Sequence, residues 1–319
     1  MDLRNLGPSD IKISPIIMGT WQAGRDMWAD IDDAETTRAI QAAVDAGVNT
    51  IDTAAVYGKG HSERVVGKAV GERRPQVVIA TKVFANELQY DQVVAACERS
   101  LANLQTDYID LFQIHWPSGS FGSPVVPVEE TLRALTALKE QGKIRAIGVS
   151  NFSRIQLEEA MAYGDIVSLQ PPYSLLWRHV EADAMPLCAS EGLSILAYSP
   201  MAQGILTGKF GPDHRFKRGD HRRANRLFQE PVFTRVQEAL AALKPIADRH
   251  TITLGQLALA WVIAQPGACA IAGARNATQA LENAQAGTVS LTPEDLAEMD
   301  RISRQVTAQL DDNPVLWKW

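Results

Sequence analysis

Asn49-Thr50-Ile51-Asp52-Thr53-Ala54-Ala55-Val56-Tyr57-Gly58 opens as a short apolar strand and closes in small residues and a glycine. Where the strand should stop it carries a carboxylate, Asp52, and five residues later a phenol, Tyr57. Neither has a packing reason to be there, so the stretch reads as a strand end that opens a site. The same pattern recurs on both sides. Pro15 to Gly19, Val77 to Lys82, Tyr108 to His115, Ala146 to Ser150, Val167 to Gln170, Leu193 to Tyr198 and Cys269 to Ala272 are short runs, apolar along most of their length. Such runs suit parallel strands buried on both faces. Helical spacing fills the gaps between them, at 33–46, 62–70, 90–104, 128–141, 153–163, 180–191, 233–249, 253–265 and 277–286, with a further helix at 293–304. Asp32 or Asp33 caps the first helix and Gly47 stops it.

Eight β-α alternations predict a closed (β/α)8 barrel, a TIM barrel, in one domain spanning 1–319. A doubly wound open sheet is the alternative. It would place a glycine-rich turn after the first strand, and Gly19-Thr20-Trp21 is not one. Residues 3–13, with Gly7-Pro8-Ser9-Asp10 at the turn, predict an N-terminal β-hairpin. After the seventh strand, 203–230 is a polar stretch too long for a plain connector, which reads as a lid or a disordered insertion.

Composition narrows the function. The chain has 319 residues, 46% of them hydrophobic, and a net charge of −6 without a basic block, which argues against nucleic acid. No apolar run approaches the roughly 20 residues of a membrane span, and the polar N-terminus is unlike a signal peptide, so a soluble cytoplasmic protein is expected. Cys97, Cys188 and Cys269 are far apart and read as buried free thiols in a reducing compartment. No motif with metal-ligand spacing is present, and no metal is expected.

In a barrel of this kind the site lies at the C-terminal ends of the strands. The polar groups there are Asp52, Lys82, His115, Ser150-Asn151, Gln170 and Tyr198-Ser199, with Tyr57 in the second loop. A lone strand-end lysine is usually a solvated cap, and a lone histidine beside Trp116-Pro117 is usually structural. An acid, an amine, an imidazole and a phenol converging on one rim make those readings poor.

The pieces Ile51-Asp52-Thr53-Ala54 with Tyr57-Gly58, Ala80-Thr81-Lys82, and Asp107 to Leu111 running on to His115 resemble the aldo-keto reductase family. So do Ile147-Gly148-Val149-Ser150-Asn151-Phe152, Tyr198-Ser199-Pro200, Leu206-Thr207-Gly208-Lys209 and Gly273-Ala274-Arg275. The matches run in order from residue 6 to about 290. They fit best the bacterial and plant members that also resemble potassium-channel β subunits. The resemblance implies NADP(H)-dependent reduction of aldehydes and ketones, with a catalytic tetrad of Asp52, Tyr57, Lys82 and His115. Physical chemistry suits those roles. A free phenol, with a pKa of about 10, is a weak acid near neutrality. An ammonium about 4 Å away at an effective dielectric of about 20 stabilises the phenolate by roughly 4 kcal/mol. Asp52 keeps Lys82 charged, and His115 donates to the substrate oxygen.

The resemblance further places the nicotinamide carboxamide on Ser150, Asn151 and Gln170, with Tyr198 stacked on the ring. It places the rest of the nucleotide at Ser199, Gly204, Leu206, Lys209, Gly273, Arg275, Gln279, Glu282 and Asn283. Arg275 near a helix N-terminus makes a phosphate site, which favours NADP(H), with NAD(H) as the second option. Ala272-Gly273 stands where relatives commonly have Pro-Gly. Trp21, Tyr57, Trp116 and the loop Ser118 to Gly122 are expected to line the pocket for a small carbonyl substrate, and Trp317 and Trp319 to fold over its mouth. Two rivals remain. One is a regulatory nucleotide-binding module like the channel β subunits; the other is a Schiff-base aldolase using Lys82.

Overall fold

The eight apolar runs fold as staves. The computed structural model describes residues 1–26, 28 and 30–310, so Trp317 and Trp319 lie outside the described residues. After the hairpin strands β1 (Arg4–Asn5) and β2 (Lys12–Ile13) come β3 (Ile16–Gly19), β4 (Thr50–Asp52), β5 (Val78–Val83) and β6 (Ile109–Ile114). They are followed by β7 (Ile144–Ser150), β8 (Ile166–Gln170), β9 (Ser194–Tyr198) and β10 (Ala268–Gly273). Strands β3 to β10 pair in parallel, each with the next, and β10 closes on β3. This is the predicted (β/α)8 barrel.

The helices form the outer layer. They are α1 (Asp33–Asp45), α2 (His61–Val70), α3 (Tyr90–Leu104), α4 (Val128–Glu140), α5 (Arg154–Met161), α6 (Met185–Glu191), α7 (Val232–Arg249), α8 (Leu254–Ile263), α9 (Ala277–Gln285) and α10 (Pro293–Thr307). None of the described helices is long and apolar enough to cross a membrane. Asp32, not Asp33, caps α1 by accepting from Glu35 N–H. The three cysteines are buried and free.

The hairpin plugs the bottom of the barrel. Leu6, Ile11 and Ile13 pack with Ile17, Val78, Leu111, Val167 and Leu196 in one buried cluster. Its turn presses so close that a Cβ on Gly7, at φ +54°, would sit 2.1 Å from the Val167 carbonyl oxygen. Only glycine fits there.

Three expectations need correction. The helix expected over 180–191 starts at Met185, after a separate 3-10 turn at His179–Glu181. Pro186 is the reason: it lacks an N–H and belongs in a first turn. Strand β7 starts two residues before the expected Ala146, because exposed Arg145 interrupts the apolar run while its guanidinium pairs with Asp110 at 2.8 Å. The 203–230 stretch is not a disordered insertion. It folds into 3-10 turns at Ala202–Thr207, His221–Ala224 and Arg226–Phe228, with Phe210, Arg222, Asn225 and Leu227 buried.

Candidate active site

Strand parity assembles the floor of the site. Successive side chains alternate between barrel interior and helix layer. Val78, Ala80 and Lys82 therefore share the inner face of β5, as Leu111 and Gln113 share that of β6, with His115 next in step. Asp52, Ser150, Gln170 and Tyr198 end their own strands at the same rim. Tyr57 arrives on the β4–α2 loop. Gly58 and Gly24 let that loop press against the segment after β3. A Cβ on Gly58 would lie 2.3 Å from the Gly24 carbonyl oxygen.

Lys82 is fully buried and donates to Asp52 Oδ1 and to the Thr53 carbonyl, both at 2.7 Å. Its Nζ lies 5.4 Å from the centre of the Tyr57 ring. The Tyr57 and His115 rings meet edge-on, with centres 5.8 Å apart. Asp52 Oδ2 accepts from Gln170 Nε2 at 2.8 Å and from Gln113 Nε2 at 3.5 Å. Gln113 was absent from the sequence expectations; its parity with His115 is the signal that would have found it.

The electrostatics correct one expectation. Lys82 was expected to lower the Tyr57 phenol. Burial, followed by the charge of Asp52 and by Tyr198, instead pushes it well above 10. Burial also lowers Lys82 itself, against the pull of Asp52. Burial and then Lys82 hold His115 well below 6.5, so its imidazole is neutral near pH 7. That neutral ring keeps one N–H to donate.

Asp52, Tyr57, His115 and Gln170 form the floor of a cleft of about 960 Å³ that runs outward between the β3 and β9 loops, with Lys82 buried behind them. Its aromatic end is lined by Trp21, Val56, Tyr57, Phe84, Trp116 and Phe121. Of the loop Ser118 to Gly122, only Phe121 lines the cleft; it stacks on Phe84 at 5.6 Å and meets Trp116 edge-on at 5.0 Å.

Ser150, Asn151, Gln170 and Tyr198 line the middle of the cleft. Asn151 Nδ2 donates to the His115 carbonyl and to Ser150 Oγ, both at 3.0 Å, and its Oδ1 accepts from Tyr198 Oη at 2.9 Å. Asp52 can only accept, so Gln170 must turn its amide nitrogen toward it, and Gln170 Oε1 is left as the acceptor.

Ser199, Gly204, Lys209, Gly273, Arg275, Gln279, Glu282 and Asn283 line the far end. Leu206 does not: its side chain is buried in the hydrophobic core, where an apolar side chain gains most from burial. The amides at the start of α9 are partly committed. Asn276 Oδ1 accepts from Gln279 N–H, and Gln279 Oε1 accepts from Arg275 N–H at 2.9 Å.

Cations gather at this end. Burial and then Arg222 lower both Lys209 and Arg275, the mark of positive charges crowded together. Arg222 pairs with Asp220 and lies over the Trp28 ring at 5.0 Å, while Arg275 lies over the same ring at 5.6 Å. Lys217 pairs with Asp30, so the segment after β9 meets the one after β3 across the groove. Trp28, Phe216 and Arg222 also escaped the sequence expectations, because they come together only through this meeting of distant loops.

The Aldo/keto reductase family model matches residues 15–304. The chain is 37% identical over 314 residues to an aldo-keto reductase, YhdN, of Bacillus subtilis, covering 95% of this chain and 93% of that protein. It superposes on the glycerol dehydrogenase from Gluconobacter oxydans with a TM-score of 0.88 at 33% identity, over 97% and 98% of the two chains. An aldo/keto reductase from Klebsiella pneumoniae, solved with NADP and acetate, matches with a TM-score of 0.76 at 32% identity, over 92% and 93%. A barrel with this rim and these relatives defines an oxidoreductase, and the chain belongs to the aldo/keto reductase family.

Proposed function

We propose that this protein reduces small aldehydes and ketones to alcohols, reversibly, by direct hydride transfer from NADPH, with Tyr57 as the proton donor. The observation that carries the reading is the buried Asp52–Lys82 pair set against the Tyr57 ring, with neutral His115 edge-on to the same ring.

The cleft suits the cofactor. Its far end holds Lys209 and Arg275, which among the described residues form no ion pair with a carboxylate, and the amide nitrogen of Gln203 is buried in its wall with no partner. Both features invite phosphate oxygens. Arg275 and Lys209 would take the 2′-phosphate, and Gln170 Oε1 would accept from the carboxamide. When bound, the reduced nicotinamide supplies the hydride.

The chain's residues do the rest. The aromatic wall from Trp21 to Phe121 excludes water and packs the carbonyl compound against Tyr57 and His115. The neutral imidazole donates to the carbonyl oxygen and orients it. Tyr57 then gives up its hydroxyl proton as charge develops on that oxygen. The raised phenol keeps that proton throughout the neutral range. Asp52 holds Lys82 in place beneath it. A Schiff-base role for Lys82 is disfavoured by its full burial and its two hydrogen bonds, since an aldolase amine must reach the cleft.

The test is loss of absorbance at 340 nm with NADPH and a panel of aldehydes and ketones. Tyr57→Phe is expected to lower turnover by at least about a hundredfold and to leave the NADPH Kd nearly unchanged. Loss of cofactor binding with turnover per bound cofactor preserved would overturn the assignment.

A further inference from the structure

Glu63 is a fully buried carboxylate that the proposed chemistry does not use. It accepts from Thr81 Oγ at 2.7 Å and from Asn103 Nδ2 at 2.9 Å, and no cation among the described residues pairs with it. Burying a carboxylate among neutral donors is costly, so the position invites an explanation. Helix capping is not one. Glu63 stands at the third position of α2, where a glutamate often reaches back to the N-cap, but Gly60 caps this helix without any side-chain bond. The carboxyl points instead to β5.

Thr81 precedes Lys82, and the two residues face opposite sides of the strand. Glu63 thus grips β5 from the helix side, at the residue next to the lysine. Ser62 does the same for two other strand ends. Its Oγ donates to the Thr20 carbonyl at 2.9 Å and lies 2.8 Å from both Thr20 Oγ1 and Thr53 Oγ1. Thr53 in turn offers its carbonyl to Lys82. The Tyr57 loop hangs between Thr53 and Ser62, and Ser62 N–H donates to the Tyr57 carbonyl at 3.2 Å. The first turn of α2 therefore sets where Tyr57 stands against Lys82.

We infer that Glu63 is a positioning residue for proton transfer: it anchors the Tyr57 loop to the strand that carries Lys82 and adds a second negative charge acting on that lysine. The inference rests on Tyr57 being the proton donor. Glu63 assists Asp52 in keeping Lys82 protonated against burial. The titratable groups that feel its charge are Lys82, across β5, and Cys97 on α3; Arg64 on α2 donates instead to Asn103 Oδ1 at 3.1 Å and to the Lys59 carbonyl at 3.5 Å.

Removing the Glu63 charge favours loss of a proton from both Lys82 and Tyr57, so either group moves the basic limb of the kcat–pH profile to lower pH. Glu63→Gln keeps an acceptor for Thr81. It is expected to lower that limb by about one unit and kcat by about tenfold, with the NADP⁺ Kd within about twofold of wild type. In the NADP⁺ complex, the hydroxyl-bearing ring carbon of ¹³C-labelled Tyr57, assigned through Tyr57→Phe, should titrate about one unit lower.

Glu63→Asp keeps the charge but loses reach. It is expected to lower the melting temperature while holding the limb near the wild-type position. A merely structural glutamate gives the reverse ranking, with aspartate the worse variant on every readout. That ranking, or a Glu63→Gln protein with unchanged limb and unchanged phenol titration, overturns the inference. If Glu63→Gln does not fold, Thr81→Val decides: kcat should fall at constant cofactor affinity, and an unchanged kcat overturns the inference. A wild-type protein that reduces no carbonyl would sink the functional reading instead, and the phenol titration would still decide the role of Glu63.

Discussion

At the residue scale, the chemistry turns on where charge is already spent. Lys217 pairs with Asp30 and Arg222 with Asp220, while Lys209 and Arg275 form no ion pair with a carboxylate among the described residues. Arg275→Ala is therefore expected to raise the KM for NADPH by about tenfold or more, since a hydrogen bond to a charged group is worth about 1.5–3 kcal/mol. The KM for NADH should move far less; equal effects would remove the case for a 2′-phosphate site. Asp52, Lys82 and His115 were legible in the sequence because each stands within one residue of the end of its own strand on the inward parity. The direction of the Tyr57 shift was not, because burial depends on loops that pack only in the fold. Gln113 was hidden by its place inside an apolar run.

At the element scale, α7 and α10 are joined by a clamp. Asp295, in the first turn of α10, accepts from Arg249 at 2.8 Å and from His250 at 2.7 Å, both at the end of α7. Burial alone would raise this carboxyl, but Arg249, His250 and the Thr292 N–H and hydroxyl outweigh it and hold it well below 3.8. A depressed carboxylate contributes stability that is present above the unfolded pKa, near 4, and is lost as pH falls through the folded value. Asp295→Asn is expected to lower the melting temperature by a few degrees at pH 7, for a loss of about 1–2 kcal/mol. Below pH 4 the gap between variant and wild type should narrow; a constant gap would mean that the clamp acts by shape alone. Helix positions followed from spacing and caps. The start of α6 did not, because six residues of helical composition, 180–185, precede Pro186 and the proline decides against the first five.

At the scale of the whole molecule, the barrel was legible because eight strand–helix alternations admit few other closures. The folded course of 203–230 was not: its order comes from rings and charges supplied by the segment after β3, about 190 residues away in sequence. Charge is also distributed unevenly. The chain carries −6 overall, and the cleft is mixed: Lys209, Arg215, Lys217, Arg222 and Arg275 line it, and so do Asp26, Asp30, Asp52, Asp220 and Glu282, with Lys217 paired to Asp30 and Arg222 to Asp220. Cofactor capture should therefore rely on the cations at the far end that pair with no carboxylate among the described residues, Lys209 and Arg275. Raising ionic strength from about 0.05 M to 0.5 M shrinks the Debye length from about 14 Å to about 4 Å, and the NADPH Kd is expected to rise several-fold. A Kd that ignores salt would place the nucleotide elsewhere.

The aromatic wall carries one more consequence, an optical one. Of seven tryptophans, Trp21, Trp28 and Trp116 line the cleft, while Trp177, edge-on behind Tyr198, and Trp261 are buried outside its lining. Indole emission overlaps the absorption of a reduced dihydropyridine ring, so a nucleotide seated in the cleft should drain light from those three indoles and glow in their place. The protein thus has its own occupancy gauge, needing no dye. Trp28→Phe, which removes the indole that Arg222 and Arg275 share, should weaken the quenching that NADPH produces. Identical quenching in that variant would mean the ring lies too far from the bound nucleotide to sense it.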